Sequence, residues 1–132
     1  MDKSTKEKDE PDLNVMKEAV RRHYQGLGFG VRFPDQNIRV GNAEIDGEII
    51  VSSNSKIAVE LKGPGDDEVV KGIGQLVEAE IDGYQQAILV VTERRGRTVR
   101  RKAFRKLGIG LVAVDLDGTL RFIEEAKDSA IL

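Results

Sequence analysis

The stretch KIAVELKG, residues 56–63, decides how this chain is read. Its side chains alternate as a strand's do: Ile57, Val59 and Leu61 share one face, and Ala58, Glu60 and Lys62 share the other. An acid and a base two positions apart thus leave an otherwise apolar strand on the same side. Gly63-Pro64-Gly65 stops the strand. Asp66, Asp67 and Glu68 follow, where a helix N-terminus favours negative charge. The pattern beyond them predicts a helix that buries Val69, Val70, Ile73, Leu76, Val77 and Tyr84 on one arc and ends near Gly83. Residues 86–92 (QAILVVT) are a short continuous apolar run, as a buried parallel strand requires.

Upstream, residues 38–51 read as extended chain with a bulge at Gly41-Asn42. Within it Ala43, Ile45, Gly47, Ile49 and Val51 alternate with Glu44, Asp46, Glu48 and Ile50. A turn at Ser52-Ser53-Asn54-Ser55 pairs this strand with residues 56–62, so Asp46 and Glu60 converge at one spot. Two carboxylates at a sheet surface repel unless a positive charge lies between them. Oxygen ligands without His or Cys indicate Mg²⁺ or Mn²⁺. The same pattern also suits a solvated hairpin face, on which Glu60 and Lys62 are ordinary exposed charges.

The outer segments complete the order. Leu13, Met16, Val20, Tyr24 and Leu27 form a helical stripe entered through Pro11 and Asp12 and broken up by Gly26, Gly28 and Gly30. Residues 29–33 make a first strand, turned by Pro34-Asp35-Gln36-Asn37. Residues 93–106 predict a short amphipathic basic helix with Val99, Ala103, Phe104 and Leu107 inward. Residues 110–115 and 119–124 read as a hairpin joined at Asp117-Gly118. Residues 1–11 are almost wholly charged and read as a disordered arm, leaving residues 12–132 as a single domain.

Composition narrows the chemistry. At 132 residues with 39% hydrophobic and 33% charged side chains, a packed core is within reach. The absence of cysteine excludes disulfides, a thiolate zinc site and a cysteine nucleophile, and a single histidine excludes a histidine cluster. No apolar run approaches the roughly 18 residues of a membrane span, and the first residues are too polar for a signal peptide. These features imply a soluble cytoplasmic protein with no membrane partner. Net charge is −2, yet residues 93–106 hold eight bases against one acid, so an anionic partner is expected on one side.

At this point the chain resembles the PD-(D/E)XK nuclease superfamily. The matching residues are Asp46 in AEIDGEI and Glu60-Leu61-Lys62 in IAVELKG, fourteen positions downstream, followed by GIGQLVEA and AILVVTE. Within the superfamily the chain looks most like small archaeal Holliday-junction-resolvase-like members. The resemblance implies a restriction-endonuclease-like α/β core (α-β-β-β-α-β) with a mixed central sheet flanked by helices, here extended by a basic helix and a C-terminal hairpin. It implies that Asp46, Glu60 and the backbone carbonyl of Leu61 bind Mg²⁺, with Mn²⁺ able to substitute. Lys62 would hold or activate the attacking water and stabilise charge on the phosphate.

Several residues compete for attention. Pro34-Asp35 is a literal PD, but Asp35 falls in a turn, so Asp46 is preferred. Glu18 on the first helix and Gln75 on the second both fall opposite the apolar arcs and read as surface residues. Gly72 and Gly74 suit close packing of their helix, against another subunit for instance. Asp115-Leu116-Asp117-Gly118-Thr119 reproduces a phosphatase-like DxDGT opening, but thirteen residues beyond it leave no room for the rest of such a site. His23 reads as structural.

The expected activity is metal-dependent hydrolysis of DNA phosphodiester bonds, on duplex or branched DNA, with RNA not excluded. Arg94, Arg95, Arg97, Arg100, Arg101 and Arg105 would grip the phosphate backbone. A homodimer is expected, since two cuts related by symmetry need two sites. The alternatives are a nucleic-acid-binding module that keeps the fold without turnover, and an interaction domain whose charged strands merely face water.

Overall fold

Asp12 starts the first helix. Its Oδ1 accepts the backbone N–H of Val15 at 2.9 Å, an N-cap that contributes about 1 kcal/mol to helix stability. The computed structural model describes residues 10–128, so the arm expected over residues 1–11 lies outside the described residues except for its last two. Those two are packed rather than free: Pro11 is buried, and Glu10 accepts a hydrogen bond from the Thr92 hydroxyl at 2.9 Å. Helix α1 (Leu13–Gln25) buries Met16, Ala19, Val20 and Tyr24. Leu13 and Leu27, which the apolar stripe included, are exposed at its two ends.

The chain then enters a six-stranded mixed sheet of order β1-β4-β5-β6-β7-β8. Its strands are β1 (Gly30–Arg32), β4 (Gly47–Ser52), β5 (Ser55–Lys62), β6 (Gln86–Thr92), β7 (Gly110–Val114) and β8 (Leu120–Glu124). The β5-β6 and β6-β7 pairs are parallel and the others antiparallel. The central strands explain their own placement: every residue of β6 and of β7 is buried, as strands covered on both faces require.

Between β1 and β4 the structure corrects the expectation of one bulged strand. Residues 38–45 fold back as a separate hairpin of β2 (Ile38–Val40) and β3 (Ala43–Ile45), with Val40 opposite Ala43. Gly41, at φ +60°, takes the first corner of a two-residue hairpin turn that a side chain would strain. The hairpin is worth forming because Val40 and Ile45 bury themselves against Leu76 and Ala79 of helix α2 (Val69–Ile81).

Two apolar layers result. On one face α1 covers Ile49, Ile57, Val59, Leu61, Ile88, Val90, Val112 and Val114. On the other, α2 covers Ala58, Ala87, Leu89 and Val91, joined by Phe104 of helix α4 (Arg101–Leu107). The architecture is the mixed α/β, restriction-endonuclease-like core that the sequence leads one to expect.

The basic segment is not one helix. It forms a single turn, α3 (Glu93–Gly96), and then α4 after a break at residues 97–100. A Cβ on buried Gly96 would lie 2.6 Å from the Ile123 side chain, so α3 sits flush on the sheet. Leu107, expected inward, is exposed. The DxDGT segment is the β7-β8 turn: Asp115 Oδ1 accepts the N–H of Thr119 at 2.9 Å, and Gly118 has φ +81°. No helix among the described residues is long and apolar enough to cross a membrane.

Candidate active site

Glu60 and Lys62 leave β5 on the face covered by α2, and both are buried, with 4% and 6% of their surface exposed. Helix α2 approaches so closely because position 72 is glycine. A Cβ there would lie 3.0 Å from Lys62 Cε and 2.9 Å from Leu89 Cδ1. The Lys62 ammonium is 3.6 Å from Glu60 Oε2 and 3.8 Å from Asp66 Oδ2. Asp66, just before α2, is therefore a second carboxylate holding Lys62. The sequence pattern alone places it only at the helix N-terminus.

Asp46 is brought to the same spot by the β4-β5 register, in which Gly47 faces Val59. It stands at a bend between β3 and β4 rather than inside a strand. Its N–H donates to Val59 O at 3.2 Å and to Glu60 Oε1 at 3.1 Å. Its own Oδ2 accepts the N–H of Leu61 at 2.7 Å. Each acid is thus positioned by the backbone that carries the other. The bend also breaks the expected alternation: Ile45 packs on the α2 side with Ala58, whereas Ile49 packs on the α1 side.

Crowding two carboxylates has an electrostatic consequence. Burial, and then the neighbouring Asp46 carboxylate, push the Glu60 carboxyl up to about 8, with Lys62 and the Asp46 N–H pulling the other way. A divalent cation between the acids would relieve that repulsion. The donor set fits Mg²⁺, which takes one or two carboxylates and completes its shell with water and phosphate oxygens. Among the described residues no group of three or more His, Cys, Asp or Glu is placed to hold a metal ion, so a cation at Asp46 and Glu60 would have to complete its shell with water and substrate oxygens. The N–H and C=O of a strand residue leave the same edge, so the Leu61 carbonyl opens on the Asp46 side as its N–H does.

The arginines divide into two groups. Arg94 and Arg95 line a cavity of about 290 Å³ with Gly63, Gly65, Thr92, Thr98 and Glu10, at the end of β5 where Lys62 sits. Arg97 lines an adjoining groove with Arg94, Asp115 and Leu116. Arg94, Arg97 and Arg100 make no ion pair among the described residues. Arg95 is paired with Asp67, and Arg101 and Arg105 both reach Glu124, at 3.0 and 3.5 Å. Three of the six expected phosphate contacts are therefore already engaged within the chain.

The remaining candidates separate cleanly. Glu18 is exposed and paired with Arg21, Asp35 is exposed in a bend, and the exposed His23 ring rests against Tyr24 and Phe122. Gln75 is a correction: instead of facing solvent, its Nε2 donates to the Glu44 carbonyl at 2.6 Å and ties α2 to β3 two residues before Asp46. Sequence reading also missed the environment of Glu48. That buried acid accepts hydrogen bonds from the Tyr84 hydroxyl at 2.6 Å and Arg32 Nε at 2.9 Å, with Lys56 Nζ at 3.4 Å. The signal available was its place beside Asp46 in the strand alternation.

No family model and no curated protein matches the chain. Solved structures do share its fold. A protein of unknown function from Silicibacter pomeroyi aligns over 87% of this chain and 69% of its own, with TM-score 0.57 and 14% identity. An XisH family protein from Nostoc punctiforme aligns over 83% of this chain and 99% of its own, with TM-score 0.59 and 16% identity. An fdxN element excision controlling factor protein from Anabaena variabilis covers 84% and 99%, with TM-score 0.53 and 17% identity. At such identities the likeness establishes the fold class alone.

Proposed function

We propose that this protein is a Mg²⁺-dependent nuclease of the PD-(D/E)XK type that hydrolyses DNA phosphodiester bonds at Asp46, Glu60 and Lys62. The observation that carries the reading is the reciprocal bracing of two acids beside a buried lysine: Asp46 on the Leu61 N–H, Glu60 on the Asp46 N–H, and Lys62 3.6 Å from Glu60. Asp46, Glu60 and the Leu61 carbonyl would hold the cation, with Mn²⁺ able to replace Mg²⁺. When bound, it would polarise a phosphoryl oxygen and lower the pKa of a bound water. Lys62, held between Glu60 and Asp66, would orient the attacking water and offset negative charge growing on the phosphate. Arg94, Arg97 and Arg100 supply free guanidinium groups for the phosphate backbone, which favours duplex or branched DNA recognised by shape.

One observation favours a second reading, a nucleic-acid-binding module without turnover: Glu18, the acid available on α1, points to solvent and pairs with Arg21. Two arms separate them. A nuclease nicks plasmid DNA with Mg²⁺ and gains melting temperature with Mg²⁺ or Mn²⁺, and Asp46→Asn loses both. A binding module holds DNA equally well in chelator and nicks nothing.

A further inference from the structure

A cavity of about 300 Å³ opens where the last turns of α1 meet the start of β6 and the end of β8. That volume lies at the lower end of the roughly 300–1,000 Å³ of small-molecule sites. Aromatic rings from three parts of the chain line it: His23 and Tyr24 on α1, Phe29 before β1, and Phe122 on β8. They touch in succession. The His23 ring lies 5.7 Å from Phe122 and 4.8 Å from Tyr24, and the Tyr24 ring lies 6.5 Å from Phe29. The cavity is remote from Lys62. It opens on the α1 face beside Gln86, whereas Lys62 lies on the α2 face and pairs in register with Val91. Those five residues of strand span roughly 17 Å.

The polar groups at this cavity are unmet. Tyr24 is 4% exposed, yet its hydroxyl makes no hydrogen bond among the described residues. A buried phenol ordinarily finds a partner. Burial, and then the charge of Glu125, push that phenol up, so the carboxylate lies near the hydroxyl without bonding it. Glu125 makes no ion pair among the described residues, and no Lys or Arg lines the cavity. Gln86 is already engaged, its Nε2 donating to the Lys127 carbonyl at 2.7 Å.

Charge selects the ligand. Glu125 repels an anion, and a neutral apolar molecule leaves both the carboxylate and the phenol unmet. A cation with an apolar body satisfies rings and acid together, because aromatic faces attract positive charge. The chain covers its other partly exposed rings in this way. Lys17 and Arg21 stand over Phe33 at 5.9 and 5.4 Å, and Lys56 stands over Tyr84 at 5.4 Å. Among the described residues no basic side chain stands over Tyr24, Phe29 or Phe122, although an unpaired acid lies beside them. We propose that this cavity binds a small organic cation, a substituted ammonium whose apolar body packs among Tyr24, Phe29 and Phe122 and whose charge faces Glu125. A hydroxyl on such a ligand meets the Tyr24 oxygen. This inference does not rest on the nuclease reading.

Choline is the probe, since it carries a trimethylammonium head and one hydroxyl. Its uncharged isostere, with carbon in place of nitrogen, is the control. Both are titrated into the full chain at constant ionic strength, and the backbone amide shifts of residues 23–29 and 122–126 are followed by NMR. Choline is expected to saturate with a Kd of about 1 mM or lower, and the isostere to bind roughly tenfold more weakly. Glu125→Gln, at an exposed position, is expected to weaken choline by a similar factor and to leave the isostere unchanged. Tyr24→Phe keeps the ring and weakens both probes, because both carry the hydroxyl. Phe122→Leu keeps an apolar side chain without a ring face and weakens choline more than the isostere. Cooperative urea unfolding shows that each variant is folded, and Glu125→Gln alone decides if Phe122→Leu is not. Absence of saturable shifts overturns the proposal. Equal affinity for choline and its isostere, or undiminished choline binding in Glu125→Gln, overturns it as well.

Discussion

Glu48 lies two residues beyond Asp46 and is just as buried as Glu60, yet its surroundings assign it to stability and not to chemistry. Burial pushes its carboxyl up, but hydrogen bonds from Tyr84 and Arg32 and the charge of Lys56 outweigh that and hold it below the usual carboxylate range. The perturbation is Glu48→Ala, with Tyr84→Phe as its partner. A hydrogen bond to an ionised group contributes about 1.5–3 kcal/mol. Arg32 and Lys56 are 54% and 46% exposed, so each adds at most about 1 kcal/mol. Glu48→Ala is therefore expected to cost about 3 kcal/mol and Tyr84→Phe about 2 kcal/mol. The double variant falls short of their sum by about 1–2 kcal/mol, because both remove the same bond. With a urea dependence of about 1–3 kcal/mol per molar, Glu48→Ala lowers the unfolding midpoint by roughly 1–3 M. The assay is urea unfolding of the four proteins in chelator, followed by circular dichroism. A second readout isolates function: Glu48→Gln is expected to keep the rise in melting temperature with divalent metal that the proposed site implies, because Glu48 lies outside that site. A loss under about 0.5 kcal/mol in Glu48→Ala would refute the reasoning, as would strict additivity or loss of the metal effect in Glu48→Gln.

Two further outcomes follow from the site. Gly72→Ala sets a Cβ 3.0 Å from Lys62 Cε and displaces the lysine. A loss of cleavage rate of about 10²-fold is expected in a protein that still unfolds cooperatively, and an unchanged rate at saturating Mg²⁺ contradicts the placement of Lys62. Replacing Arg94, Arg97 and Arg100 with alanine is expected to flatten the dependence of log affinity for duplex DNA on log salt by about 0.9 per lost phosphate contact. Arg101→Ala with Arg105→Ala flattens it less, because both arginines are tied to Glu124. Fluorescence anisotropy across a salt series reads both, and equal slopes would show that the Glu124 pairs open on binding.

What could be read from the chain without its structure was whatever local periodicity and pairing decide. The alternation of residues 56–62 places Glu60 and Lys62 together, and a single tight turn before them is enough to carry Asp46 to Glu60. The unbroken apolar run of β6 announces its burial on both faces. The departures arise where a distant contact chooses between two equally good local readings. Gly41-Asn42 suits a bulge or a hairpin, and the choice falls to the hairpin because Val40 and Ile45 find Leu76 and Ala79. Helix α2 is apolar on two sides, so periodicity alone does not say which arc faces the sheet. That ambiguity puts Val70 in the buried arc, whereas it is exposed, and puts Gln75 on the solvent side, whereas it bonds the Glu44 carbonyl. The basic strip has helical spacing throughout, yet it is split into α3 and α4, with Gly96 of α3 packed closely on Ile123.

The central claim is that Asp46, Glu60 and Lys62 form a metal-dependent phosphodiesterase site. Its most direct test is cleavage of a labelled panel of four-way junction, flap, linear duplex, single-stranded DNA and RNA, with Mg²⁺, Mn²⁺ or chelator, beside Lys62→Ala purified identically. The account predicts cutting of duplex or branched DNA that requires the metal and disappears in Lys62→Ala. Cutting that persists in chelator or in Lys62→Ala would contradict it, as would tight metal-independent DNA binding with no cutting of any substrate.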